Sequence, residues 1–354
     1  MAEAEQALSA EVVAPAPEAP KPQQPRPLIE IIPSQLEALR AYHRAVLETE
    51  DVEAVHKMRV TTRRLQASLD LLEHEMKVRK LKRRLRKWRR ALSSVRNYDV
   101  FLQLIDKEAT GRRQAHREQF ELVKALLAAQ RVRNAGKVRA FLEGINAGEI
   151  AIKLGLSLPA LIVETSDPVG IDTSRDRGDI AIQAQEPTLV LDERKIAGYV
   201  AERLDQRVAE FQAMVAQSHP TTDPTELHQL RIAAKRVRYL LEIVSEMGYG
   251  DASRALVWLR TLQDRIGDWH DLAALEAEII SIVSRRKFMR EHLAESSRML
   301  QAAAHLQKKK ESLVAKLFPV KVPKTLALTC QRAAKALRRQ ALRGQAETPA
   351  VNKP

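Results

Sequence analysis

Cationic side chains recur in this chain at one spacing, twice. His56, Arg59 and Arg63 stand at i, i+3 and i+7, and His228, Arg231 and Lys235 repeat that spacing 172 residues further on. On a helix with about 3.6 residues per turn such positions fall along one stripe. A guanidinium presents a planar fork of donors that fits phosphate oxygens, and a lysine ammonium a mobile point charge. Imidazole joins them as a cation when a surrounding anion raises its pKa from about 6.5. The chemistry within reach is therefore the grip of a polyanion. Metal ligation fits the pattern less well: there is no His-x-x-x-His or His-Glu-x-x-His pair, and the candidate carboxylates lie elsewhere in sequence.

The elements that must carry these groups are legible around them. Val55 to Leu65 reads VHKMRVTTRRL, and Leu227 to Val237 reads LHQLRIAAKRV; Arg64 answers to Arg236 as Arg59 does to Arg231. Opposite the first stripe lie Met58, Leu65, Leu69 and Leu72, and opposite the second lie Leu230, Val237, Leu241 and Val244. Each segment is an amphipathic helix whose polar face is cationic. Asp51 and Asp223 stand five residues before each histidine, where an N-cap belongs, and Pro224 and Glu226 occupy N1 and N3 of the second helix.

The repeat runs on. VRNYDV ends in the neighbourhood of Asp99 and IGDWHDL in that of Asp271, so the gap from His56 to Asp99 equals the gap from His228 to Asp271. Two helical halves related by a pseudo-two-fold are expected, each offering one basic helix. A repeat serving architecture alone need preserve only the apolar positions, and this one preserves the cations.

Between the signatures of the first half lies the densest run of charge: Lys77, Arg79, Lys80, Lys82, Arg83, Arg84, Arg86, Lys87, Arg89 and Arg90, with no acid among them. Such a helix repels itself unless an anion or facing carboxylates compensate, or unless it is a solvated face whose long stems cover apolar surface. The matching stretch, Ala252 to Ile266, has only Arg254, Arg260 and Arg265. Any cavity between the halves is expected to be two-fold in shape and lopsided in charge.

For the rest of the basic set the alternative is salt bridges to neighbouring acids, Arg238 with Glu242 at i+4 being one expected example. Tyr239 falls on the cationic stripe, where its hydroxyl could donate to a phosphate oxygen. Asp99 and Asp271 read as helix caps or as orienters of a basic residue in their own half. Trp88, Trp258 and Trp269 sit in apolar patterns and are expected in the core.

The 354 residues carry a formal charge of +14 and a sequence pI near 9.9. That balance points to inorganic polyphosphate, nucleic acid or an anionic membrane surface as partner. Aromatics are only 4% of residues and no helix-turn-helix, zinc-finger or RNA-recognition signature is legible, which weakens a nucleic-acid reading. One cysteine, Cys330, excludes a disulfide framework within one chain and fits a reducing, cytoplasmic setting. The start, Met1 to Glu5, lacks the basic and apolar regions of a secretory peptide, and no run approaches about 20 apolar residues.

Along the chain, residues 1–32 are rich in Ala, Glu, Gln and Pro and read as a disordered tail. Helices are expected over about 35–47, 52–75, 77–95 and 98–145, giving an N-terminal half at 33–156. Residues 157–190 read as a linker, 191–342 as the C-terminal half and 343–354 as a polar tail.

VHKMRVTTRRL with VRNYDV, followed by LHQLRIAAKRVRYLLE with IGDWHDLAALE, resembles the CHAD family, the conserved histidine α-helical domain, over roughly residues 33 to 340. The resemblance implies an all-α fold of two pseudo-symmetric helical bundles around a basic cavity that binds inorganic polyphosphate. No adjoining β-rich triphosphate-tunnel (CYTH) domain, present in some relatives, is visible here, which weakens any carry-over of triphosphatase activity. The expected function is therefore non-catalytic binding of polyphosphate in a groove between the halves, with the cytoplasm and its polyphosphate granules as the expected location. The expected contacts are His56, Arg59, Arg63, Arg64, Lys80, Arg83, Arg86, Arg90, His228, Arg231, Lys235, Arg236, Arg238 and Tyr239, with Asp99 and Asp271 as orienting groups and no cofactor or metal. The competing readings are a metal-dependent phosphohydrolase of condensed phosphates, which would need an acidic cluster that the sequence does not display, and a helical nucleic-acid binder.

Overall fold

A computed structural model describes residues 25–49, 51–73, 77–109, 114–145, 192–220 and 223–342. These form ten helices and, among the described residues, no strand. The first half holds α1 (Leu28–Glu48), α2 (Val52–Leu71), α3 (Arg79–Ala109) and α4 (Gln114–Glu143). The second holds α5 (Glu193–Gln217), α6 (Pro224–Glu246), α7 (Ser253–Val283), the short α8 (Arg286–Glu291), α9 (Leu293–Leu317) and α10 (Lys324–Leu342).

The two signature helices start where their caps dictate. Asp51 accepts from the Glu53 amide at 2.8 Å and Asp223 from the Thr225 amide at 2.7 Å, each satisfying a donor that the first helical turn leaves unpaired. Their first residues, Val52 and Pro224, are 172 apart. At its far end α6 is stopped by Gly248. There φ is +83°, the Tyr249 amide reaches back to the Val244 carbonyl, and the Gly248 amide to that of Ser245. A side chain is strained at that φ and would also strike Pro25, 2.5 Å from where a Cβ would stand.

Within each half the packing follows one plan. Helix α2 lies between α1 and α3, and α6 between α5 and α7; α3 takes α4 as its next neighbour and α7 takes α9. Across the halves α2 meets α6, α3 meets α7 and α4 meets α9, elements holding matching places in the two chain segments. Helix α10 departs from this plan: it packs on α5 and α7 and has no counterpart among the described residues of the first half.

The expected apolar faces of α2 and α6 are buried without exception. Met58, Leu65, Leu69 and Leu72 face the first half, and Leu230, Val237, Leu241 and Val244 the second. They belong to one core that runs through both halves, and a second core, built from Phe101, Ile105, Phe120 and Leu127 against Leu272, Leu275, Ile279 and Met299, closes the far end. Burying side chains of this size contributes roughly 1.5–3 kcal/mol each, so the polar faces of α2 and α6 are set rigidly against the backbones beneath. Trp88 and Trp269 are buried as expected; Trp258 is half-buried, edge-on to Phe211. Cys330 of α10 is also buried, and burial, with Asp205 nearby, pushes its thiol up to about 12.

Two expected boundaries need correction. Helix α1 begins at Leu28, inside the segment read as tail, because Leu28, Ile31 and Ile32 supply an apolar stripe that is fully buried. Pro33 lies within that helix as its sixth residue, so the Ile29 carbonyl has no i+4 amide to accept from, and the Ser34 hydroxyl donates to the Ile31 carbonyl at 2.9 Å. The break expected near residues 95–98 is absent, and α3 continues to Ala109. Its apolar stripe (Leu81, Leu85, Trp88, Leu92, Val95) passes directly into Phe101 and Ile105 of the second core, so nothing ends the helix there. The rest of the expected tail (1–24), the expected linker (157–190) and the C-terminal tail (343–354) lie outside the described residues.

Candidate functional site

The polar faces of α2 and α6 meet where the halves join, and α3 borders them. Arg59 is partly buried, and its charge is disfavoured so far that its pKa falls to about 10. Burial is the main cause, followed by the arginines around it: Arg63, Arg96, Arg89 and, from the other half, Arg231. Lys235 is depressed further, to about 6, again by burial first and then by Arg231, Arg63, Arg238 and Arg59. Arg231 is lowered by burial, with Asp271 opposing and Arg63 adding to the depression. Cations from both halves therefore share one space, and the charges that bear most on Arg59 and Lys235 are all positive.

Four donors in this space are buried without a hydrogen-bond partner in the protein: Arg59 Nε, Arg96 Nη1, Arg231 Nε and Arg238 Nε. A buried donor on a charged group costs at least about 1–3 kcal/mol when left unmade. Arg231 is held close to the α7 backbone: its Nη2 lies 3.4 Å from where a Cβ on Gly267 would stand, so the helix offers room at that turn for the guanidinium. Arg89 is positioned by Gln66, whose Oε1 accepts from its Nη1 at 2.8 Å.

The histidines border the cluster. His56 has its pKa lowered by burial and then by Arg96, with Glu53 opposing. His228 is lowered by burial and then by His270, whose ring stacks on it with centroids 5.9 Å apart. Both imidazoles are thus biased to the neutral form in the free protein. Tyr239 is buried beneath the guanidinium of Arg238, 4.7 Å from ring centroid to Cζ.

Not every expected contact lies in this cluster. Arg64 reaches Glu242 at 3.7 Å, Arg238 reaches it at 3.8 Å as expected for i,i+4, and Arg260 completes the set at 3.6 Å. Arg236 lies 4.0 Å from Glu210. These arginines have carboxylate partners, whereas Arg59, Arg63, Arg231 and Lys235 have none within ion-pair distance among the described residues. Lys80, Arg83, Arg86 and Arg90 lie exposed on α3, along the flank of the cluster.

Asp99 and Asp271 both lie inside helices, which removes the cap reading for each. Asp99 is buried and accepts from Arg131 Nε at 2.6 Å, ordering a basic residue of its own half. Asp271 lies 3.3 Å from His270 Nδ1 and favours the charge on Arg231.

Arg89, Arg96 and His270 join the site although none was among the expected contacts; Arg89 had been named only as part of the basic run. A signal existed for the first two: they stand at i and i+7 on α3, beside the apolar stripe and toward α2. His270 lay within the second signature, but it has no histidine at the matching place of α3, where Arg96 stands. Among the described residues no group of three or more His, Cys, Asp or Glu gathers where a metal ion could be held, and no helix is long and apolar enough to cross a membrane.

An all-α protein with a basic cluster between two helical halves is what these helices define. The chain belongs to the CHAD family, whose sequence profile, the CHAD domain, matches residues 30–279. The crystal structure of the CHAD domain from the plant Ricinus communis is similar with a TM-score of 0.55 at 21% identity, covering 88% of this chain and 99% of that one. PptA from Streptomyces chartreusis gives a TM-score of 0.51 at 18% identity, over 89% of this chain and 99% of its own. At these identities the likeness is one of fold. No curated protein matches this chain.

Proposed function

We propose that this protein binds inorganic polyphosphate, without catalysis, in the basic cluster between its halves. The observation that carries the reading is the pair Arg59 and Arg231: equivalent positions of the two halves, each with a buried, unpartnered Nε, Arg59 among cations alone and Arg231 between Asp271 and Arg63. Membership of a family known for polyphosphate binding gives the ligand its name. A linear polyanion brings charge on every phosphate, so it can pair with Arg59, Arg63, Arg96, Arg231 and Lys235 together and recover the cost of crowding them. His56, His228 and the Tyr239 hydroxyl complete the walls. Arg64, Arg236 and Arg238 act at the margin, since carboxylates already share them. The expected place of the protein in the cell is at polyphosphate granules.

Charge reversal tests this. The double variant Arg59→Glu, Arg231→Glu is expected to lose polyphosphate binding at fixed salt while its helical circular dichroism is retained. Unchanged affinity in a folded double variant would sink the reading. The hydrolytic alternative is separated by incubating protein and polyphosphate with Mg²⁺ or Mn²⁺ and measuring free phosphate, where none above background is expected. The nucleic-acid alternative is separated by competition: DNA or RNA is expected to displace polyphosphate poorly at physiological salt.

A further inference from the structure

The basic run on α3 is more than the wall of the central cluster. Arg89 belongs to both: Arg63 acts on it from the cluster, and Arg86 and Arg90 from the outer face of the helix. From Arg90 the positive groups continue outward through Arg86 and Lys87 to Arg83 and Lys80, each three or four residues from the next and all exposed. They cover about 15 Å of helix.

The acids near this end are engaged elsewhere. Asp70 and Glu73 take Lys82, and Glu73 also takes Arg79, which closes the run at the corner between α2 and α3. Among the described residues Lys80, Arg83, Arg86 and Arg90 have no carboxylate within ion-pair distance. A row of exposed cations with no acids between them repels itself in water, and a flexible polyanion relieves that repulsion.

The other half offers nothing comparable. Helix α7 begins 174 residues after α3, and 174 residues after Lys80, Arg83, Arg86, Lys87 and Arg90 stand Arg254, Val257, Arg260, Thr261 and Asp264. Arg260 is shared with Glu242, Asp264 sets an exposed acid at the end of the row, and α10 packs on α7. The row that is unbroken and basic in the first half is reduced in the second to two arginines, with Val257 between them and an acid beyond.

Building on the functional reading above, we infer that a polyanion held at the central cluster leaves it in one direction only, along the Lys80–Arg83–Arg86–Lys87–Arg90 face of α3. Chains long enough to reach that face are held more tightly than short ones, and α3 is the determinant of this length preference.

The test compares tripolyphosphate with long-chain polyphosphate on the full chain and two variants. One carries Arg83→Gln, Arg86→Gln and Arg90→Gln. The other, matched in net charge, carries Lys324→Gln, Lys335→Gln and Arg339→Gln on the exposed side of α10. The α3 variant is expected to lose roughly tenfold in long-chain affinity, and its slope of log affinity against log salt is expected to flatten by about 2, as three fewer phosphate contacts release fewer counterions. Its tripolyphosphate affinity, and both affinities of the α10 variant, are expected to stay within about twofold of the parent. Equal long-chain losses in the two variants would overturn the inference, since net charge alone would then explain them. Equal loss of short and long chains in the α3 variant would overturn it as well, by placing these arginines in the central cluster. If the parent chain binds neither probe, the functional reading fails and this inference with it.

Discussion

Lowering the pH is expected to tighten polyphosphate binding through Lys235. In the free protein its pKa is about 6, because burial and the four surrounding arginines disfavour a further positive charge. A phosphate chain among those arginines reverses the sign of the local field and draws a proton onto the ammonium. Binding above about pH 6 is then coupled to proton uptake, and affinity falls as pH rises. From about pH 6, where half of Lys235 is charged, to about pH 8, where about 1% is, affinity is expected to weaken roughly fiftyfold, or about 2.3 kcal/mol. Long chains are the probe, since their ionisation is dominated by internal phosphates and not by the ends.

Titration calorimetry in buffers of different ionisation enthalpy counts the protons directly, and close to one per site is expected from Lys235 near pH 7.5. His56 and His228, both lowered in the free protein, add to the slope at the acidic end. The variant Lys235→Met retains the apolar stem and removes the titration, so it is expected to lose the lysine share and leave the histidine share. Stability of the free protein moves the other way. The lysine's folded pKa lies below its unfolded value of about 10.5, so the penalty is absent above that value, grows as pH falls, and is complete below about 6. Free wild type is therefore expected to melt lower at pH 6 than at pH 8, with a smaller drop in Lys235→Met. A flat affinity profile in the wild type across this range, or one unchanged in Lys235→Met, would refute the reasoning.

Two further outcomes are expected from residues around the site. Asp51→Ala and Asp223→Ala should each cost about 1 kcal/mol in denaturant unfolding, since each removes the acceptor for a first-turn amide. Glu242→Gln should strengthen polyphosphate binding and steepen its salt dependence, because it releases Arg64, Arg238 and Arg260 from the carboxylate they share.

The fold was legible wherever periodicity and caps agreed. Both signature helices begin at the expected aspartates, and all eight expected apolar positions are buried. Boundaries were less legible where composition misled: the prolines around residue 27 hid the buried Leu28, Ile31 and Ile32, and the Arg96-Asn97-Tyr98-Asp99 segment looked like a break but continues α3. For the site, the stripe on α2 and α6 could be read because residues on one helix face are fixed by spacing. Which cations face other cations, and which have found an acid, depends on inter-helix packing. Nothing in the sequence near Arg236 names Glu210 as its partner, and Arg89 and Arg96 approach Arg59 only because α3 packs against α2. Sequence spacing carries no information about such encounters between helices.

The single thiol of the protein has a use outside polyanion chemistry. Cys330 sits on α10, beyond the residues that the CHAD profile matches, and docking against α5 keeps its thiol protonated up to about pH 12. A reagent that attacks only thiolates is blind to it while α10 is seated and sees an ordinary thiol, with a pKa near 8.5, once the helix lifts away. The rate of alkylation is therefore a clock for that one motion, and it runs without any engineered label. Read with and without polyphosphate, it would tell whether the accessory helix is a passive buttress or breathes with the occupancy of a site it does not touch.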